Sequence, residues 1–253
     1  MQAPVLLSPL GTKESVSVMV NGILGCLPIT PENLSQKLEA AASKLARKYD
    51  RREMYTAWTR AIKETLASIA EECSCEAQYS DKRKQLSEYM VDVVWWSKTS
   101  NGWGAMIAIE SEWGNQRDHG AGRIDNVVKA VDYDFCKLLC FKAPLKVLIF
   151  TSEKSTELRR AICKQTCESI RTYRHHIKGE IYLLLDFARD AFYRYVYEVK
   201  TNGKVDHPKL VPVDEHSKRA LEESDIMRKP RKRVTQKRGV VRKATLLNSG
   251  AVG

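Results

Sequence analysis

Acidic side chains inside two apolar segments constrain this chain more than any other feature of its sequence. Residues 91–115 read VDVVWWSKTSNGWGAMIAIESEWGN, in which two apolar runs are joined by the polar link 97–102. Runs rich in Val, Ile and Trp and bounded by Gly, Ser and Asn predict a pair of neighbouring strands. The first run carries Asp92, and the second ends with Glu110 and Glu112.

The alternation of side chains along a strand determines where these acids face. Glu110 and Glu112 are two residues apart and face the same way, while Ile107 and Ile109 face the opposite way, towards a core. Burying unpaired carboxylates costs several kcal/mol, so the spacing favours a divalent cation beside them. The alternative is an exposed edge strand, on which acids discourage aggregation.

The composition is that of an ordinary globular protein. Of the 253 residues, 43% are hydrophobic and 29% are charged, and no apolar run approaches the roughly 20 residues that cross a bilayer. The start, MQAPVLLSPLG, has neither a basic region nor an apolar stretch long enough for a secretory signal. We therefore expect no membrane association and a cytoplasmic protein, or a nuclear one if the source has a nucleus.

Positive charge is concentrated near the C-terminus. Nine of the eleven excess positive charges fall within residues 228–243, which contain no acid. A flexible arm of this kind either solubilises the chain or binds the phosphates of a nucleic acid. For the second role the candidates are Arg228, Lys229, Arg231, Lys232, Arg233, Lys237 and Arg238.

The seven cysteines are an odd number, which argues against a disulfide framework. Cys136 and Cys140 are four residues apart in a predicted helix, and so are Cys163 and Cys167. Because no histidine has a matching ligand spacing, we expect buried thiols rather than a zinc or iron–sulfur site.

The predicted elements follow the order helix, strand, strand, helix, strand, helix, strand, strand. Helices are expected over about residues 52–72, 124–141 and 155–176, with another at 31–49 near the N-terminus. Strands are expected at both acidic runs and over residues 145–150, 180–187 and 192–198. The run LKVLIF at 145–150 is apolar throughout and predicts a strand buried on both faces. Together these elements indicate an α/β fold with one mixed sheet flanked by helices.

Two helix ends can be assigned from local sequence. Thr30 followed by Pro31 is typical of a helix start, with Thr as the N-cap and Pro in the first turn. We expect His175 and His176, at the end of a predicted helix, to be exposed or to interact with the C-terminal helix dipole.

An Asp near the start of one strand, seventeen residues and then Glu-x-Glu at the end of the next strand resemble the PD-(D/E)xK nuclease superfamily. The predicted helix and buried strand that follow stand where that family's αβββαβ core has a helix and a strand. The resemblance covers about residues 52–151. It departs from the family at Glu112, where the family has a lysine, and Lys137 or Lys129 on the next helix could supply that charge.

The resemblance implies a restriction-endonuclease-like fold in three regions. Residues 1–51 would be an N-terminal helical extension, 52–205 the nuclease core and 206–253 a basic, flexible tail.

The activity that the resemblance implies is hydrolysis of phosphodiester bonds with Mg²⁺, for which Mn²⁺ could substitute. Asp92, Glu110 and the Ser111 carbonyl would hold the metal, and Glu112 would orient the attacking water or join a second metal site. Lys137 would stabilise the negative charge that develops on the phosphate.

Several points stay open at this stage. An acid of the 52–72 helix, or Glu88, could complete the metal shell. Double-stranded DNA is the expected partner, and a homodimer would allow both strands to be cut by an endonuclease. The alternatives are a catalytically inactive nucleic-acid-binding protein on the same fold and an interaction protein with no nucleic-acid role.

Overall fold

The helices and strands of the chain assemble around a single sheet. The computed structural model describes residues 27–48, 55–79, 90–99, 102–113, 124–177, 179–188, 191–200 and 209–228. The helices within them are α1 (Pro31–Lys48), α2 (Tyr55–Glu72), α3 (Ile124–Cys140), α4 (Thr156–Thr172) and α5 (Glu215–Arg228). The strands are β1 (Glu76–Tyr79), β2 (Val93–Thr99), β3 (Gly102–Glu112), β4 (Leu145–Phe150), β5 (Ile181–Phe187), β6 (Phe192–Lys200) and β7 (Lys209–Pro212). The predicted mixed α/β class is confirmed.

The seven strands lie in the sheet in the same order as in the chain. β1, β2 and β3 form an antiparallel meander, β3, β4 and β5 are parallel, and β5, β6 and β7 are antiparallel. Parallel neighbours require crossovers, which α3 and α4 provide. Both crossovers move in the same direction across the sheet, so right-handed connections place both helices on one face.

The sheet has a hydrophobic core on each face. One core packs α1 and α2 on the sheet through residues such as Leu38, Trp58 and Ile62, and it includes Ile107 and Ile109 of β3. The other core packs α3 and α4 on the opposite face. All six residues of β4 are buried, which confirms the strand predicted to be covered on both faces.

Local signals placed the helix starts correctly. The Thr30 hydroxyl accepts a hydrogen bond from the Asn33 N–H at 3.2 Å, which confirms Thr30 as an N-cap. The Ser155 hydroxyl caps α4 in the same way, accepting from the Leu158 N–H at 3.0 Å.

The sequence pattern did not predict β1, β7 or α5. β1 has four residues and completes the three-stranded meander by pairing with β2. Residues 209–228, which the sequence pattern assigned to the tail, form β7 and α5 instead. They are ordered by long-range contacts, because β7 pairs with β6 and Leu210 is buried in the second core.

The predicted burial of the thiols is wrong for one of the two helical pairs. Cys163 and Cys167 on α4 are buried, whereas Cys136 and Cys140 on α3 are exposed. The six cysteines within the described residues are all free thiols.

A buried polar network ties β4 to the loop before β5. The Lys146 ammonium forms an ion pair with Glu180, and both side chains are fully buried. Lys146 also donates to the Leu139 carbonyl at 3.1 Å, and the other Glu180 oxygen lies 2.8 Å from His176 Nδ1. The expectation for His176 is therefore wrong, because its side chain is 1% exposed and serves this network.

We expect Lys146→Met to lower the free energy of unfolding by about 3–5 kcal/mol, because it leaves the Glu180 carboxylate buried without its partner. Urea denaturation at pH 7 would measure this. Lys142→Met, which removes an exposed lysine from the same region, should change the free energy by at most about 0.5 kcal/mol. Equal effects of the two substitutions would contradict the assigned role of the ion pair.

Candidate active site

The β2–β3 pairing brings Asp92 and Glu110 together. Val93 pairs with Ile109, so Asp92, one residue earlier, lies opposite Glu110. Asp92 Oδ2 accepts hydrogen bonds from the Ser111 backbone N–H at 2.9 Å and from the Ser111 hydroxyl at 2.7 Å. The main chain and the hydroxyl of Ser111 therefore orient the Asp92 carboxylate at the end of β3. Asp92 is close enough for its negative charge to affect Glu110, although the Asp92 carboxylate contacts α2 and the Glu110 carboxylate contacts α3.

Lys137 reaches this pair from α3. Its ammonium lies 3.3 Å from Glu110 Oε1 and 2.7 Å from Asp134 Oδ1, one helical turn earlier. The structure thus distinguishes between the two lysines considered from sequence, because Lys129 is an exposed residue of the same helix. A basic residue three positions after an acid on a helix was the sequence signal for the Asp134–Lys137 pair.

The helix α2 contributes a lysine to this site, whereas the sequence left open an acid of this helix or Glu88 as a further metal ligand. The Lys63 ammonium lies 2.8 Å from Asp92 Oδ1, and its side chain is 10% exposed. Glu64, Glu71 and Glu72 of this helix are exposed, and Glu72 pairs with Lys37 instead. Lys63 was missed because it lies beside the apolar stripe of the helix, where a lysine is usually solvated.

We call Asp92, Glu110, Asp134, Lys63 and Lys137 the carboxylate cluster. Burial, followed by the negative charge of Asp92, raises the pKa of Glu110 to about 9 against the opposing effect of Lys137. Burial lowers the pKa of Lys137, but its hydrogen bond to Asp134 and the charge of Glu110 outweigh this and raise it above its ordinary value. The cluster contains three carboxylates and two ammonium groups, so the formal charges of these five groups sum to −1.

The donor set suits Mg²⁺, which prefers a few carboxylates and completes its shell with water and phosphate oxygens. Glu110 Oε1 is a buried oxygen without a hydrogen bond of good geometry to any described residue. In the part of the chain that the structure describes, no group of three or more His, Cys, Asp or Glu side chains is arranged to hold a metal ion. A metal here would therefore rely on Asp92, Glu110 and a main-chain carbonyl, and would compete with Lys63 for Asp92 Oδ1.

The other residues that the sequence predicted for the site are not members of the carboxylate cluster. Glu112 is half-buried, ends β3 and shares the face of Glu110. Arg228 is the last residue of α5. Glu88 and the other basic candidates of the tail, Lys229, Arg231, Lys232, Arg233, Lys237 and Arg238, lie outside the described residues.

No protein-family model, curated protein or solved structure matches this chain. None of the helices described above combines the length and the apolar composition needed to cross a membrane.

We expect Glu110→Gln to stabilise the metal-free protein by an amount that grows as the pH rises from 5 to 9. The raised pKa of Glu110 means that the folded protein keeps a proton that the unfolded chain releases above its ordinary pKa near 4.5. The free energy of unfolding of the natural protein should fall across this window by at most about 1.4 kcal/mol per pH unit, and glutamine removes this term.

Urea denaturation in EDTA at several pH values would measure the difference between the two proteins. Glu64→Gln, at an exposed position of α2, should show no such growth with pH. A difference between Glu110→Gln and the natural protein that is constant with pH would contradict the assignment.

Proposed function

We propose that this protein is a metal-dependent nuclease that hydrolyses phosphodiester bonds, with DNA as the substrate and Mg²⁺ or Mn²⁺ as the cofactor. The observation that carries the proposal is the proximity of two acids at neighbouring strand ends, one of them beside a lysine. Asp92 directly precedes the residue of β2 that pairs with Ile109, its negative charge affects Glu110, and the Lys137 ammonium lies 3.3 Å from Glu110.

The order of elements supports a restriction-endonuclease-like fold. The run α2, β1, β2, β3, α3, β4 has the αβββαβ order of the core that the sequence resembles. Asp92 directly precedes the second strand of its meander, Glu110 lies on the third strand, and Lys137 lies on the helix that follows. In this proposal Lys137 takes the place of the family's motif lysine, where this chain has Glu112.

Each residue then has a definite task. Asp92, Glu110 and the Ser111 carbonyl would hold the metal, which supplies charge neutralisation on the phosphate and an activated water. Lys137 would place a positive charge beside the phosphoryl oxygens, where negative charge develops. Glu112 would orient the attacking water, and Lys63 with Ser111 holds the Asp92 carboxylate in place.

A second candidate function is binding of nucleic acid without cleavage. One observation favours it, which is that Lys63 already lies 2.8 Å from the Asp92 oxygen that a metal would approach. Salt-sensitive binding of DNA that neither needs nor responds to Mg²⁺, with no cleavage, would support this candidate.

We expect the full chain to cut plasmid DNA with Mg²⁺ or Mn²⁺ and to lose this activity in EDTA. Asp92→Asn and Glu110→Gln should each reduce the initial rate at least about 100-fold, because each removes a charge that holds the metal. Gel electrophoresis of timed samples measures the rate, with Glu64→Gln as the control. Cutting that persists in Glu110→Gln would reject this site.

Lys137→Gln should lower the cleavage rate by about 10²–10³-fold, since it removes a group that stabilises the transition state. Lys129→Gln makes the same change on the same helix and should leave the rate within about twofold. Lys137→Arg, which keeps the charge, should recover part of the rate. A Lys137→Gln protein that cuts as fast as Lys129→Gln would show that the catalytic positive charge comes from elsewhere.

A further inference from the structure

A second site lies on the face of the sheet that carries α3 and α4. A pocket of about 210 Å³ opens between α4, α5 and β6. Among the described residues, its lining contains four basic side chains and no acid. The basic residues are Arg159, Arg160, Lys164 and Arg219, and three aromatic rings, Tyr193, Tyr195 and His216, complete the wall.

Arg159 is held in place before any ligand arrives. Its guanidinium lies 3.7 Å from the centre of the Tyr193 ring and 3.9 Å from Asp186 Oδ2. Asp186 is fully buried and accepts hydrogen bonds from the Ser152 N–H at 2.8 Å and from its hydroxyl at 2.5 Å. A planar guanidinium fixed in this way loses little freedom when it binds an anion.

The aromatic wall of the pocket includes two stacked rings. His216 of α5 stacks on Tyr195, with ring centres 5.1 Å apart and an angle of 20° between the planes. Burial raises the pKa of Tyr195 and of the neighbouring Cys163 above their ordinary values, so both stay neutral. The lining of the pocket therefore contributes four basic side chains and no acid.

The pocket and the carboxylate cluster lie at the same end of the strands, where the parallel strands have their C-termini. Glu112, Phe150, Asp186 and Tyr193 pair in one row across β3, β4, β5 and β6. Glu112 and Tyr193 are therefore three strand spacings apart, or roughly 14 Å. One extended polyanion could contact the pocket and the cluster together.

We propose that this pocket binds a phosphate group, and that it holds a backbone phosphate of a nucleic-acid substrate at a distance from the bond that is cut. Arginine forks match phosphate oxygens in geometry and charge. The volume is smaller than the roughly 300–1,000 Å³ of pockets that enclose a drug-sized ligand, which favours a backbone phosphate over a whole nucleotide. The substrate role rests on the proposed nuclease function, whereas phosphate binding does not.

The test is fluorescence anisotropy of a labelled twelve-residue oligothymidylate with the full chain in EDTA. The double variant Arg160→Gln/Arg219→Gln should bind at least about tenfold more weakly than the natural protein. It should also reduce the slope of log affinity against log salt by roughly 0.7, which is the contribution of the one phosphate that the variant no longer neutralises. The matched control is Lys154→Gln/Lys218→Gln, which removes two exposed lysines from outside the pocket and should change the affinity less than twofold.

A second readout locates the ligand. The His216 imidazole signal in the proton NMR spectrum, identified by its disappearance in His216→Gln, should shift when the oligonucleotide binds the natural protein but not the double variant. Equal decreases of affinity in the two double variants, or an unmoved His216 signal, would overturn the proposal. Thymidine 5′-monophosphate that displaces the oligonucleotide at equal concentration would overturn the assignment to a backbone phosphate.

The same assay separates this inference from the proposed function. If DNA binding depends on Arg160 and Arg219 but the protein never cuts DNA, the phosphate site is supported and the nuclease function is rejected. If the protein cuts DNA with a metal but binding does not depend on Arg160 and Arg219, the nuclease function is supported and the phosphate site is rejected.

Discussion

The burial of β4 on both faces is the constraint on which the rest of the structure depends. A strand with all six residues buried must give every backbone polar group a partner, and it must have helices on both sides. Parallel pairing with β3 and β5 meets the first need, and the two helical layers meet the second. Even Lys146, inside this strand, is retained by pairing its charge with Glu180.

Polar residues lie close together at the C-terminal ends of the three parallel strands. Glu110 comes near the end of β3, Ser152 just after β4, and Asp186 at the end of β5. Each buried carboxylate there meets a cation from a helix on the same face, Lys137 for Glu110 and Arg159 for Asp186. The candidate active site and the proposed phosphate pocket thus have the same structural origin. In both, a crossover helix places a basic side chain at the C-terminal ends of the parallel strands.

In the carboxylate cluster, acids have ammonium partners and yet the pKa of one of them remains raised. Lys63 and Lys137 lower the energy of the carboxylates they touch, yet burial still raises the pKa of Glu110 to about 9. A site that served stability alone would be better filled by apolar side chains of similar size. These acids lie unfavourably close together, and Ser111 holds Asp92 in place among them. A bound cation could therefore stabilise them.

The sequence by itself determined the α/β class, the buried strand at 145–150, the N-cap at Thr30 and the facing of Glu110 relative to Ile109, because these follow from side-chain periodicity and local hydrogen bonds. It did not determine β1 or β7, which are four residues long and exist only through pairing with a neighbour. Nor did it reveal Lys63 beside Asp92 or the burial of His176, or decide between Lys137 and Lys129. Those outcomes depend on which helix face packs against which strand end, and such contacts between residues distant in the chain are decided by tertiary packing.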